Sequence, residues 1–318
     1  MLCPICNNPT NNVQYQAREM MFGLREVFTY EECGACECVY LLERPEEMSR
    51  YYSSHYYSFG KENPLSGNKF KQYLKRERAK HADGRFSLVG ALIAQKMGIP
   101  PVFEWIKKVG ATRDSRILDV GCGSGHTLLE LSLAGYKHLY GIDPYLTKDI
   151  VYPGGVIVER KDILEVEGEF DVILLNHVFE HLPDPLHTLQ LLRERLSDTG
   201  TIIIRIPVAG SHAWKTYRSD WVQLDPPRHF FLHTQKSLDI LTKQAGLQNT
   251  ETVYDSTAFQ FWGSEQYKQD IPLMTESSYL KNQENALFSR EKIAEYEKQA
   301  VKLNTQKLGD QATFYITK

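Results

Sequence analysis

The chain has 318 residues, 42% of them hydrophobic and 24% charged, with a formal net charge of −3. That length accommodates one large core or two modest ones, and the composition is that of a globular chain. No apolar run approaches the roughly 18 residues of a membrane span, the opening MLCPICNN is neither a basic leader nor an apolar signal, and the small negative charge disfavours a general nucleic-acid binder, so a cytoplasmic protein is expected.

Five of the six cysteines fall within residues 1–40. Cys3-x-x-Cys6 and Cys33-x-x-Cys36 are separated by 26 residues, the pattern of two knuckles that place four thiolates around zinc. Disulfides are the competing reading, disfavoured in a reducing compartment. With four protein ligands the zinc would be structural. Cys38 is a spare thiol or an exchange partner for Cys36, and Val13–Tyr30 fits two short strands of a zinc ribbon over residues 1–45. Ribbons often grip nucleic acid, but residues 1–45 carry three arginines against Glu19, Glu26, Glu31, Glu32, Glu37 and Glu43. A phosphate backbone would be repelled by that balance, which favours a scaffolding role.

Residues 46–110 read as a helical linker or lid. Tyr51, Tyr52, Tyr56 and Tyr57 recur around His55, either as an aromatic packing face or as hydroxyl groups over a substrate. Tyr56 is a candidate for orienting the acceptor and Tyr57 for binding it. Residues 69–85 hold seven Lys/Arg against Glu77 and Asp83, either a solvated helix face or a grip on a phosphate-bearing substrate.

The stretch Arg116–Tyr145 is the most informative. An apolar strand ends in Asp119-Val120, the turn Gly121-Cys122-Gly123-Ser124-Gly125 follows, then a Leu-rich helix, then a strand ending in Asp143. Glycines allow a sharp turn and close backbone approach. The helix start offers N–H groups and a positive dipole end, and a carboxylate at the next strand end can accept ribose hydroxyls. The D-x-G-x-G-x-G pattern resembles the first motif of class I S-adenosylmethionine-dependent methyltransferases. It implies a doubly wound, mainly parallel seven-stranded α/β sheet over residues 111–318. The implied cofactor contacts are Asp119, Gly121, Gly123, Gly125 and Asp143, then Asp162 and Ile163 at the adenine, and Asn176 at the end of the fourth strand.

His177-x-x-Glu180-His181 matches an inverted zinc-protease signature, but that motif needs a long helix and here it follows a strand. The segment also resembles quinone O-methyltransferases that hold a divalent ion with two glutamates and a histidine. His177 replaces the first glutamate, a poor exchange for a hard cation such as magnesium. Residues 207–234, rich in His, Trp, Arg and Tyr, are long for a connector and fit an acceptor pocket. Trp221, Arg228 and His177 are expected to bind substrate there, and His181 and His229 to serve as base. Residues 256–310 read as a helical insertion that covers the pocket or makes an oligomer contact.

The ribbon, the tyrosines and the Pro227-Arg228-His229 turn together resemble bacterial glycan and sugar methyltransferases. They imply a small-molecule, sugar-nucleotide or glycan hydroxyl as acceptor in polysaccharide biosynthesis, without nucleic acid. Nucleotide-sugar C-methyltransferases resemble it too, but carry Glu-His where this chain has Arg228-His229. An RNA methyltransferase gripping its substrate through the ribbon is the alternative.

Overall fold

The computed structural model describes residues 2–52, 64–283 and 287–318. Tyr56 and Tyr57 lie outside the described residues. In chain order the first elements are strands β1 (Val13–Arg18), β2 (Val27–Glu32) and β3 (Val39–Leu41) and helices α1 (Lys69–Ala82), α2 (Leu88–Met97) and α3 (Val102–Lys108). Next come β4 (Arg116–Val120), α4 (His126–Ala134), β5 (His138–Ile142), β6 (Ile150–Val151), β7 (Ile157–Glu159), β8 (Phe170–Asn176), α5 (Pro185–Arg195) and β9 (Leu196–Pro207). The chain ends with α6 (His212–Tyr217), β10 (Phe231–Leu232), α7 (Gln235–Gln244), β11 (Gln248–Tyr254), α8 (Phe259–Lys268), α9 (Arg290–Thr305) and β12 (Gln311–Thr317). Among the described residues no helix is long and apolar enough to cross a membrane. The chain forms two compact units, one of Met1–Ser53, His177–His187 and Arg205–Tyr315, the other of Ser54–Asn176, Thr188–Ile204 and Ile316–Lys318.

The second unit holds the strands in the order β9-β8-β4-β5-β7-β6. β4 pairs in parallel with β5 and β8, and β5 in parallel with β7. A strand covered on both faces needs apolar side chains throughout; Ile117, Leu118, Ile173 and Leu175 are fully buried. β6 joins β7 antiparallel. It is an eighth strand where the sequence suggested seven, made of two residues, too short to leave a periodic signal. Helix α1 packs on α4 through Arg78 and Glu130, a 2.7 Å ion pair between largely buried side chains.

In the first unit β1-β2-β3-β10 form an antiparallel sheet. The expected ribbon strands are β1 and β2, but the sheet is completed by Phe231 and Leu232 opposite Tyr40 and Val39. The cysteine segment is therefore not self-contained at residues 1–45, because the edge of β3 is hydrogen-bonded by a strand from the far half of the chain. In the same unit β12 lies between β11 and the end of β9.

Cys3, Cys6, Cys33 and Cys36 converge with their sulfurs within 4.8 Å of one another. Cys3 and Cys36 sulfurs are 3.7 Å apart and those of Cys6 and Cys33 3.5 Å. The edge of a tetrahedron with 2.3 Å zinc–sulfur bonds is about 3.8 Å, close to these two separations, so the donor set suits zinc. The Ile5 and Ala35 amides point at the Cys3 and Cys33 sulfurs, at 3.5 and 3.4 Å, which favours thiolate. Cys38 stays outside this group, its sulfur 3.9 Å from His233 Nδ1. Replacing Cys33 by Ser should lower bound zinc, measured by plasma mass spectrometry, from one per chain to a small fraction. It should also lower the unfolding temperature; a variant that keeps its zinc would contradict four-thiolate ligation.

Candidate functional sites in the two units

In the second unit, strand register brings the carboxyl ends of β4, β5, β7 and β8 side by side: Val120 opposes Ile142 and Leu175, and Ile142 opposes Glu159. Asp143 and Asn176 are each the residue at or just beyond such an end. The turn after β4 returns to β5 through Gly121 N–H and Cys122 N–H, both donating to the Ile142 carbonyl, at 2.8 and 3.1 Å. Gly125 has φ of 78°, and a Cβ there would lie 2.7 Å from Val158 Cγ2, so only glycine fits.

Asp143 is buried, and each oxygen accepts one backbone N–H, Oδ2 from Gly123 and Oδ1 from Tyr145, both at 2.9 Å. Burial raises its pKa, an effect opposed by these two donors. Each oxygen retains acceptor capacity for a ligand hydroxyl. Asp119 is buried one residue before the end of β4. Asp162 is exposed and caps the 3-10 turn Ile163–Glu165, accepting from Leu164 N–H at 3.1 Å, with Ile163 half-buried behind it. Cys122 is packed under Gly141, where a Cβ would meet its sulfur at 2.6 Å.

In the first unit the His-x-x-Glu-His motif forms a single 3-10 turn, Phe179–His181, not the long helix a zinc protease needs. His181 and His229 come together edge to face, ring centroids 4.7 Å apart. His181 Nδ1 lies 2.8 Å from the Arg228 carbonyl and His229 Nδ1 2.8 Å from the Gln223 carbonyl. A carbonyl only accepts, so both Nδ1 atoms carry a proton, and in the neutral ring the lone pair is then on Nε2. His229 is held near pKa 4, by burial and then by His181.

Glu180 is fully buried. Burial acts to raise its pKa, and the neighbouring His177, then His181 and His229, act to lower it. In the sequence Glu180 is visible inside His-x-x-Glu-His, but its burial and the approach of His229 are not.

Two expected substrate contacts are corrected. Arg228 has no exposed surface. It donates Nε–H to Asp225 at 2.9 Å, Nη2–H to Glu19 at 2.9 Å and Nη1–H to the Tyr51 carbonyl at 3.1 Å. Its charge is already matched, and the two carboxylates raise its pKa against the opposing effect of burial. Trp221 is equally buried, its indole N–H donated to Asp310 at 2.9 Å. Both build the wall of the first unit. His177, at φ 55°, is half-buried with Nε2 2.9 Å from Arg205 Nη1.

Residues 95–252 match the family described as "Methyltransferase domain". The chain carries a methyltransferase domain. A tRNA U34 carboxymethyltransferase of Sulfurimonas denitrificans is 25% identical over 38% of this chain and 44% of its own length. A ubiquinone biosynthesis O-methyltransferase of Aromatoleum aromaticum is 26% identical over 32% of this chain and 48% of its own. The chain thus spans about half, or less, of the curated relatives it matches here. Among solved structures, magnesium protoporphyrin IX methyltransferase from Synechocystis aligns with 65% of this chain and 91% of its own, at 16% identity and a TM-score of 0.42. The methyltransferase domain agrees with the fold class expected from the glycine turn.

Asp143→Asn keeps an acceptor for Gly123 and removes the charge. Calorimetric titration with S-adenosylmethionine should show affinity weakened about 30-fold or more, the loss of about 2 kcal/mol of charge-assisted hydrogen bonding. Unchanged affinity would remove Asp143 from the cofactor site.

Proposed function

We propose that this protein transfers a methyl group from S-adenosylmethionine to a nucleophile on RNA. The observation that carries the methyl-donor part is the glycine turn pinned to Asp143 at the carboxyl ends of β4 and β5. When bound, the sulfonium cofactor supplies a methyl carbon already activated for in-line attack. The chain has then to align the acceptor and take its proton. Asp143 accepts from the ribose hydroxyls, the Gly121–Gly125 turn lies against the methionine portion, and Asp162, Ile163 and Asn176 complete the cofactor contacts. His181 and His229 of the first unit are the candidate bases, each with Nδ1–H on a backbone carbonyl. The four N-terminal cysteines hold a structural zinc.

The acceptor assignment departs from the sugar or glycan expected from sequence. Similarity to tRNA U34 carboxymethyltransferases favours RNA, and polysaccharide chemistry has no counterpart among these relatives. The charge objection to RNA also weakens in the folded protein. Glu19 is spent on Arg228, Glu26 on Arg50 and Tyr51, Glu31 on Tyr40 and Gln14, and Glu32 on Arg218 and Trp214. Four of the six glutamates that made residues 1–45 look acidic are thus engaged inside the first unit. In the second unit, α1 exposes Phe70 and Tyr73 beside exposed Lys69, Lys71 and Arg76. Aromatic faces interleaved with cations suit single-stranded nucleic acid.

The test is methyl transfer from labelled S-adenosylmethionine to bulk tRNA and, in parallel, to a panel of sugar nucleotides. RNA should be labelled and bound in a salt-dependent way. A combined Lys69→Ala, Lys71→Ala, Arg76→Ala variant should flatten the slope of log affinity against log salt by about 2. Labelling of a sugar nucleotide with none in RNA would restore the glycan acceptor.

A further inference from the structure

Glu180 poses a problem that methyl transfer does not answer. Its side chain has no exposed surface, and neither carboxylate oxygen has a hydrogen-bond partner among the described residues. An orphaned buried carboxylate is costly, and natural proteins retain one where something absent from the protein alone completes it. The nearest donors do not suffice. His177 Nδ1 is 3.4 Å from Oε1 but outside hydrogen-bonding geometry, its ring fixed from the other side by Arg205. His229 Nε2 is 3.9 Å away, and with its proton on Nδ1 it presents a lone pair to the carboxylate. Two acceptors face each other with nothing between them.

A cation resolves this. One carboxylate oxygen of Glu180 and one ring nitrogen each of His181 and His229 lie within 4.8 Å of one another. Three donors at about 2.1 Å from one ion stand about 3.4 Å apart, so binding would draw these three closer than that spread. Each imidazole is already oriented as a ligating histidine is, with Nδ1–H on a backbone carbonyl, of Arg228 for His181 and Gln223 for His229. The Arg228 carbonyl belongs to the residue locked between Glu19 and Asp225, so this support is rigid. His181 is only half-buried and gives the ion a way in, whereas Glu180 and His229 are closed off. The third donor comes from residue 229, far along the chain from the 177–181 motif, and His177 is not a donor.

We propose that Glu180, His181 and His229 form a binding site for a divalent first-row transition ion. Two imidazoles and one carboxylate suit Zn2+, Fe2+ or Co2+ better than Mg2+ or Ca2+, which take oxygen ligands. Three protein ligands leave positions open for water or an acceptor oxygen, which such an ion would make more acidic. Binding of the ion itself does not depend on the methyl-transfer reading or on RNA as acceptor.

The test uses the full chain with its cysteine zinc in place and Co2+ as probe. One equivalent of Co2+ should bind beyond that zinc, with weak visible d–d bands and no thiolate charge-transfer band. The paramagnetic proton spectrum should show two solvent-exchangeable imidazole N–H resonances, those of His181 and His229. Glu180→Gln should weaken Co2+ by about 100-fold or more while leaving the circular dichroism spectrum and the cysteine zinc unchanged. Should that variant not fold, the two imidazole resonances of the unmodified protein decide. No additional equivalent, a spectrum dominated by thiolate, or an ion without two imidazole N–H signals would overturn the assignment. S-adenosylmethionine affinity measured on the same samples keeps failure of the metal site distinct from failure of the methyltransferase reading.

Discussion

The hydrogen bond from Gly123 N–H to Asp143 ties the glycine turn after β4 to the end of β5. A glycine-rich turn between a strand and a helix is conformationally loose, and its value to a ligand depends on being fixed before the ligand arrives. Here the fixing comes from the neighbouring strand: the Ile142 carbonyl takes two amides of the turn and the Asp143 carboxylate takes a third. The same carboxylate is the one proposed above to accept the ribose hydroxyls. One residue therefore sets the turn, at a strand end that the parallel order β8-β4-β5-β7 places among its neighbours.

A second fixed point organises the other unit. Arg228, fully buried between Glu19 and Asp225, ties the N-terminal segment to the turn that carries His229, and its carbonyl orients His181. A buried ion pair of this kind is weak evidence for stability, but breaking it by removing one partner leaves an uncompensated charge. Its effect here is positional. The two imidazoles are held by backbone carbonyls beside a carboxylate whose oxygens have no hydrogen-bond partner among the described residues, the arrangement on which the proposed metal site rests.

Local signals in the sequence carried the architecture well. The glycine turn, the strand ends at Asp143 and Asn176 and the paired cysteine knuckles are short-range patterns in which residue type dictates backbone conformation or ligation. Partners distant in the chain stayed hidden. Arg228 looked like a free cation because Glu19, its acceptor, is 209 residues away. Trp221 looked like a pocket wall because Asp310 could not be foreseen as its partner. The acidic balance of residues 1–45 was correct as a count and incomplete as a surface, since Glu19 and Glu31 are buried and Glu26 and Glu32 are paired with Arg50 and Arg218. β10, two residues long, pairs with β3 and carries no periodicity by which to be found.

The most direct measurement is the electron density of crystals grown with S-adenosylmethionine. The nucleoside should lie with both ribose hydroxyls on Asp143 and its methionine portion along Gly121–Gly125. A crevice without the donor at saturating concentration, or one that takes a dinucleotide in its place, would contradict the assignment on which the rest is built.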